Sequence, residues 1–121
     1  MSWVKGGDVL RKIISTLVDF NDWIKISLWS LEESIALLLG RNPEVVKWNE
    51  LHECIHRNAL SFDEDDIFCS DYLKLRDLVL EGLDNQEIGE FNTPSYFIQW
   101  ATNKGVEIPE PLQIILTEKG L

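Results

Sequence analysis

A chain of 121 residues can close one hydrophobic core and is too short for two, so the sequence predicts a single helical domain over residues 1–121. Apolar residues at 45% and charged residues at 26% exclude a disordered chain, and five Trp, five Phe and two Tyr point to an aromatic-rich core. The net charge of −10 opposes long-range attraction to nucleic acid phosphates and anionic membranes, and favours basic partners or simple solubility.

The opening Met1-Ser2-Trp3-Val4-Lys5-Gly6-Gly7 has no basic n-region leading into an apolar stretch and a small-residue cleavage site, so no secretory signal is predicted. The longest apolar run, Ile35 to Leu39, is far shorter than the roughly 20 residues that span a bilayer. Two cysteines, Cys54 and Cys69, are too few for a disulfide framework and suit reduced thiols in a cytosol, although one disulfide is formally open. The expected location is the cytoplasm.

In chain order, Asp8 caps a predicted helix over 9 to 25, in which Val9, Leu10, Ile13, Ile14, Leu17, Val18 and Ile24 recur at three-to-four spacing. Ser30-Leu31-Glu32-Glu33 reads as a capping box for a helix over 31 to 39, with Gly40 as its left-handed C-terminal cap. This short helix is nearly all apolar in its last turn and should be the most buried. Asn42-Pro43 starts a helix over 43 to 58 with Val45, Trp48, Leu51, Ile55 and Ala59 on one face.

The acidic stretch Ser61 to Asp66 suits a helix N-terminus. It leads into a predicted helix over 65 to 82 whose stripe is Ile67, Phe68, Tyr72, Leu75, Val79 and Leu83. Residues 82 to 92 read as a loop. Thr93-Pro94 repeats the cap-then-proline start for a helix over 94 to 104 that ends at Lys104-Gly105. Two prolines extend Val106 to Pro111, and Leu112 to Leu116 adds a last helical turn. With no clear alternating strand, the expected fold class is all-α: a compact single-domain bundle of five to six helices, with a helix-turn-helix-like pair at residues 31–58.

Three constellations bear on chemistry. His52-Glu53-Cys54-Ile55-His56 fits the H-E-x-x-H pattern, in which two imidazoles one helical turn apart, His52 and His56, hold Zn²⁺ and Glu53 is the general base. The residues after the second His, Arg57 and Asn58, depart from the wider zinc-peptidase pattern, and everything upstream reads helical rather than as a sheet. No third His exists, which leaves Asp66, Asp71 or Cys69 as a third ligand. The bland alternative puts His52 on an apolar stripe beside Trp48 and Ile55, and it is preferred; no metal and no cofactor is expected.

Second, Leu31 to Leu51 resembles a helix-turn-helix, with Ile35-Ala36, Leu39-Gly40 and Val46 at its small and apolar positions. Arg41 stands where the motif buries an aliphatic residue, and the exposed face offers Asn42, Glu44, Lys47, Trp48 and Leu51, too few cations to neutralise phosphates. Helix-turn-helix geometry without DNA binding is expected. Third, residues 61 to 90 carry ten carboxylates against Lys74 and Arg76, which places most of the net charge there. Asp63, Glu64, Asp65, Asp66, Asp71 and Asp77 are the candidate partner-binding residues, since spaced carboxylates on a helix can imitate a phosphate row toward a basic groove; the bland and commoner alternative is a solvated helix face whose acidic N-terminus complements the helix dipole. Asp63 to Asp66 lack the glycine and terminal Glu of a calcium-binding EF-hand loop.

The stretches Trp29 to Glu33, Leu38 to Pro43, Tyr72 to Leu83, Thr93-Pro94 to Trp100-Ala101 and Ile108-Pro109 together resemble a diffuse group of small bacterial proteins, many from prophages and mobile elements. The resemblance implies a helical fold and a genomic neighbourhood, and carries no activity. The expected function is therefore that of a non-enzymatic acidic protein that binds or inhibits a basic, nucleic-acid-binding protein. A helix-turn-helix regulator is the runner-up and a minimal zinc hydrolase the third reading. At about 0.15 M salt the protein should show no binding to random duplex DNA in a gel-shift titration, because its charge opposes counterion release; submicromolar binding with a steep salt slope would favour the regulator.

Overall fold

A computed structural model of the protein describes residues 17–46, 48 and 63–118, and for residues 63–66 the backbone alone. Helix α1 is Phe20–Trp23, β1 Trp29–Ser30, α2 Leu31–Leu38, α3 Asp63–Asp84, β2 Phe91–Asn92, α4 Pro94–Asn103 and α5 Glu110–Glu118. The described residues are mostly helical, with one small antiparallel sheet. Among them no helix is long and apolar enough to cross a membrane.

Local chemistry explains where the helices begin. At α2 the Ser30 hydroxyl accepts from the Glu33 amide at 3.1 Å while the Glu33 carboxylate accepts from the Ser30 amide at 2.8 Å, so two otherwise orphaned donors are satisfied reciprocally. Thr93 caps α4 through the Tyr96 amide, with Pro94 in the first turn. Asp19 does the same for α1 through the amide of Asn21.

The ends follow one device used three times. At α2 the Arg41 amide reaches back to Ala36 O and the Gly40 amide to Leu37 O; at α4 Val106 and Gly105 do the same to Ala101 and Thr102. At α3 the pair is Glu87 to Gly82 and Gln86 to Leu83. Each is the paired six-to-one and five-to-two closure of a Schellman motif, whose turning residue must be left-handed. Gly40 and Gly105 meet that demand at φ 72° and 81°; at α3 it falls on Gln86, at φ 63°.

The structure corrects the purely helical class. Trp29 pairs with Asn92 and Ser30 with Phe91 in an antiparallel ladder, so residues 91 and 92, expected in a loop, form a strand. The pairing ties the start of α2 to the start of α4. Leu17 and Val18, expected in a helix over 9 to 25, are extended: Leu17 bridges Arg41 and the Val18 amide donates to Gly40 O. That helix is confined to Phe20–Trp23 among the described residues, and residues 9–16 lie outside them. Asn42 acts as expected, accepting from Glu44 with its side chain and from Val45 and Val46 with its carbonyl, but residues 43–45 are a turn. Of the rest of the helix expected over 43 to 58, Trp48 is helical; residues 47 and 49–58 lie outside the described residues. At the C-terminal end Glu110 and Pro111, expected to be extended, already belong to α5.

The core gathers around Trp29, Ile35, Leu37, Tyr72, Val79, Phe97 and Leu112, all at most 1% exposed. As expected, α2 is deeply buried: Ser34 to Leu38 are all inside, and the Ser34 hydroxyl donates to Ser30 O at 2.8 Å. Trp29 is fully enclosed, with its indole N–H donating to Trp23 O at 3.0 Å. Helix α3 lies against α2, and α1 against α5. A close approach joins α3 to α4: a Cβ at Gly82 would lie 2.5 Å from Trp100 Cζ2, so only glycine admits the indole here.

Because Gln86 is exposed and left-handed, Gln86→Gly removes a backbone penalty and loses no packing. It should stabilise the protein by about 0.5–1 kcal/mol, read as a higher denaturant midpoint at unchanged slope.

Candidate functional site

Helix α3 is two-faced. Phe68, Tyr72, Leu75 and Val79, spaced four, three and four apart, form its buried face. On the opposite side Asp77, Glu81 and Asp84, again four and three apart, are exposed along one stripe. The same helical period carries the stripe back to positions 63 and 66, with Ser70 and Lys74 between. Asp77, Asp63 and Asp66 of the candidate partner-binding residues thus fall on one face by helical spacing; positions 64 and 65 fall off it.

Asp71 belongs elsewhere. It lies on the flank of α3 that carries Lys74, Leu75 and Leu78, and these four help line a cleft of about 1160 Å³. The opposite walls come from Leu17, Val18 and Phe20, from the end of α2 through Arg41, and from the connection after α4 with Glu107 and the start of α5 with Glu110. Asp71 and Lys74 are exposed, whereas Leu75 is buried and Leu78 half-buried.

Arg41, the residue that departs from the helix-turn-helix pattern, is half-buried where that motif puts an aliphatic side chain. Its Nη1 donates to Leu39 O at 3.1 Å, its guanidinium carbon lies 5.8 Å from the Phe68 ring centroid, and its Nε is buried with no hydrogen-bond partner among the described residues. The arginine is thus held beside an aromatic ring while it also lines the cleft.

A column of rings continues from there. Phe68 is tilted against Tyr72 at 6.3 Å, Tyr72 is stacked on Trp48 at 5.9 Å, and Arg76 lies 4.0 Å over the Trp48 ring. The Trp48 amide donates to the Glu32 carboxylate, so the residue joins α2 to α3. Burial, with Glu32 nearby, pushes the Tyr72 phenol up to about 12. Among the described residues its hydroxyl has no hydrogen-bond partner.

A polar junction lies at the far end of α3. Glu87 Oε1 accepts from the Trp100 indole at 2.8 Å and from Lys104 at 2.9 Å, while its carbonyl accepts from the Tyr96 hydroxyl at 2.6 Å. Those hydrogen bonds, the indole's first, hold its carboxyl below the usual range. The junction fastens the turn after α3 to α4, and its groups are engaged with one another.

Of the zinc candidates, His52, Glu53 and His56 lie outside the described residues, as do the side chain of Asp66 and most of the second helix of the helix-turn-helix pair. Asp71 is exposed and Cys69 buried. Among the described residues no three of His, Cys, Asp and Glu gather closely enough to hold a metal ion. Neither Glu107 nor Glu110 was singled out by the sequence, because the cleft that gives them a context is assembled from distant segments.

No family model, no curated protein and no solved structure matches this chain. The site stands on its own geometry.

Tyr72 supplies a pH test. A folded-state value raised above the ordinary 10.0 means that folding favours the neutral phenol. That contribution is complete below the unfolded value and is lost as pH rises through about 12. The melting temperature should therefore fall more between pH 10 and 12 in the wild type than in Tyr72→Phe. At pH 7 the variant should differ by about 1 kcal/mol or less, because the hydroxyl it removes has no hydrogen-bond partner among the described residues.

Proposed function

We propose that the protein is a non-enzymatic, cytoplasmic interaction protein, of prophage or mobile-element origin, that binds and inhibits a basic nucleic-acid-binding protein. In this reading it is a single-domain bundle of five to six helices that presents α3 outward. The observation that carries it is the exposed stripe Asp77, Glu81 and Asp84 on the side of α3 opposite its buried face. Across its 22 residues α3 holds eight carboxylates against Lys74 and Arg76, over a length of roughly 33 Å at 1.5 Å per residue. Its described acidic stripe, Asp77 to Asp84, spans roughly 10 Å at 1.5 Å per residue, and such a row of negative charge on a rigid helix is complementary to a groove built for a phosphate backbone.

Such a row acts chiefly on the encounter rate and is screened over about 8 Å at physiological salt. The triple variant Asp77→Asn, Glu81→Gln, Asp84→Asn should keep its melting temperature, since the positions are exposed. Measured by stopped flow against a Lys- and Arg-rich DNA-binding domain, its association rate should drop about tenfold at low salt, with a flatter salt dependence. Equal rates and equal salt dependence for both proteins would make the stripe a solvated face and nothing more.

A further inference from the structure

The acidic stripe explains attraction but supplies no anchor, because charge at an exposed surface acts chiefly on the encounter rate and little on residence time. The cleft beside it has the missing property. Leu17, 68% exposed, and across from it Leu75 and Leu78 of α3 give the cleft apolar lining on two of its walls. Asp71, Glu107 and Glu110 bring carboxylates to the same cleft from α3, from the connection after α4 and from the start of α5. Two cations share it, Arg41 and Lys74, and the Arg41 guanidinium is engaged with Leu39 O and the Phe68 ring. Arg41 keeps its charge in those contacts, so two cations face three carboxylates and the cleft carries one net negative charge. The balance favours a cationic occupant, and the volume suits a row of side chains from a segment of chain.

We propose that this cleft receives the apolar face of a short amphipathic, basic segment of a protein partner, whose Lys or Arg side chains meet Asp71, Glu107 and Glu110. This rests on the reading that the partner is basic, and adds where and how it is held. The stripe and the cleft lie on adjacent sides of α3, so one partner can be drawn in by Asp77, Glu81 and Asp84 and seated beside Leu75 and Leu78. Apolar anchoring of a helix or extended segment in a groove, with charged flanks setting its orientation, is a common recognition mode.

The test uses the full chain and two fluorescent 14-residue probes, an amphipathic Leu/Lys peptide and its Ser/Lys counterpart of equal charge, followed by anisotropy. The Leu/Lys probe should bind about tenfold or more tightly than the Ser/Lys probe. Leu17→Asp, at a position exposed enough to spare the fold, should abolish that preference without weakening the Ser/Lys probe. The triple variant Asp71→Asn, Glu107→Gln, Glu110→Gln should weaken the Leu/Lys probe and flatten its salt dependence.

Equal binding of both probes by the wild type would overturn the cleft proposal while leaving the acidic reading intact, whereas failure of both to bind at low salt would remove both. A Leu/Lys preference that survives Leu17→Asp would place the apolar contact elsewhere, the exposed Leu28 and Phe91 being the next surface to vary. A dimer in sedimentation that Leu17→Asp dissociates would give the cleft to a second copy of the chain and overturn the proposal as well.

Discussion

The register of a single ladder, Trp29 against Asn92 and Ser30 against Phe91, sets the positions of the two helices that follow it. Ser30 is at once a strand residue and the cap of α2, and Asn92 immediately precedes Thr93, the cap of α4. A slip of one residue would turn Trp29 and Asn92 to the solvent side and bring Leu28 or Phe91 inward. The present register puts Trp29 in the core with its indole hydrogen bonded to Trp23, and lets Asn92 close its own turn through two hydrogen bonds to the Gly89 backbone. The aromatic core, the two helix starts and the turn after α3 all depend on it.

From that frame α3 acquires its two roles. Its buried side packs against α2, and the column from Phe68 through Tyr72 to Trp48 and Arg76 fixes its rotation about its own axis. With the rotation fixed, the remaining carboxylates have no choice of direction: Asp77, Glu81 and Asp84 face water and Asp71 faces the cleft. The Glu87 junction and the close fit of Trp100 on Gly82 then hold the helix's end against α4. Electrostatics and packing are separated onto opposite sides of one element, so a change in the first costs the second little.

Much of this was legible in the sequence wherever the physics is local. The capping box at Ser30 and Glu33, the Thr93-Pro94 start, and Gly40 and Gly105 as left-handed caps were all readable, because each is a property of four to six consecutive residues. The ladder was not: strands of two residues show no alternation, and their pairing is a tertiary event between distant segments. Gln86 hid its left-handed turn because glutamine gives no such signal. Leu17 and Val18 carry apolar residues at helical spacing, yet the bridge to Arg41 and Gly40 claims their backbone instead. At the site, the acidity of α3 was plain, and helical period alone separates Asp71 from Asp77. The cleft was invisible, since its walls come from four separated stretches of chain.

The ladder also bears on how the protein behaves at high concentration. A two-stranded ribbon normally leaves two free edges, each a template on which another chain can add and propagate. Here each strand contributes two residues, too few hydrogen-bonding groups to hold an incoming strand, and each runs at once into a helix or the cap before one, whose backbone groups are committed. Phe91, 61% exposed beside this edge, is the kind of side chain that would otherwise favour stacking. Copies carrying a charge of −10 also repel one another. The ribbon therefore works as a clasp inside one molecule and is a poor seed for joining molecules into fibres.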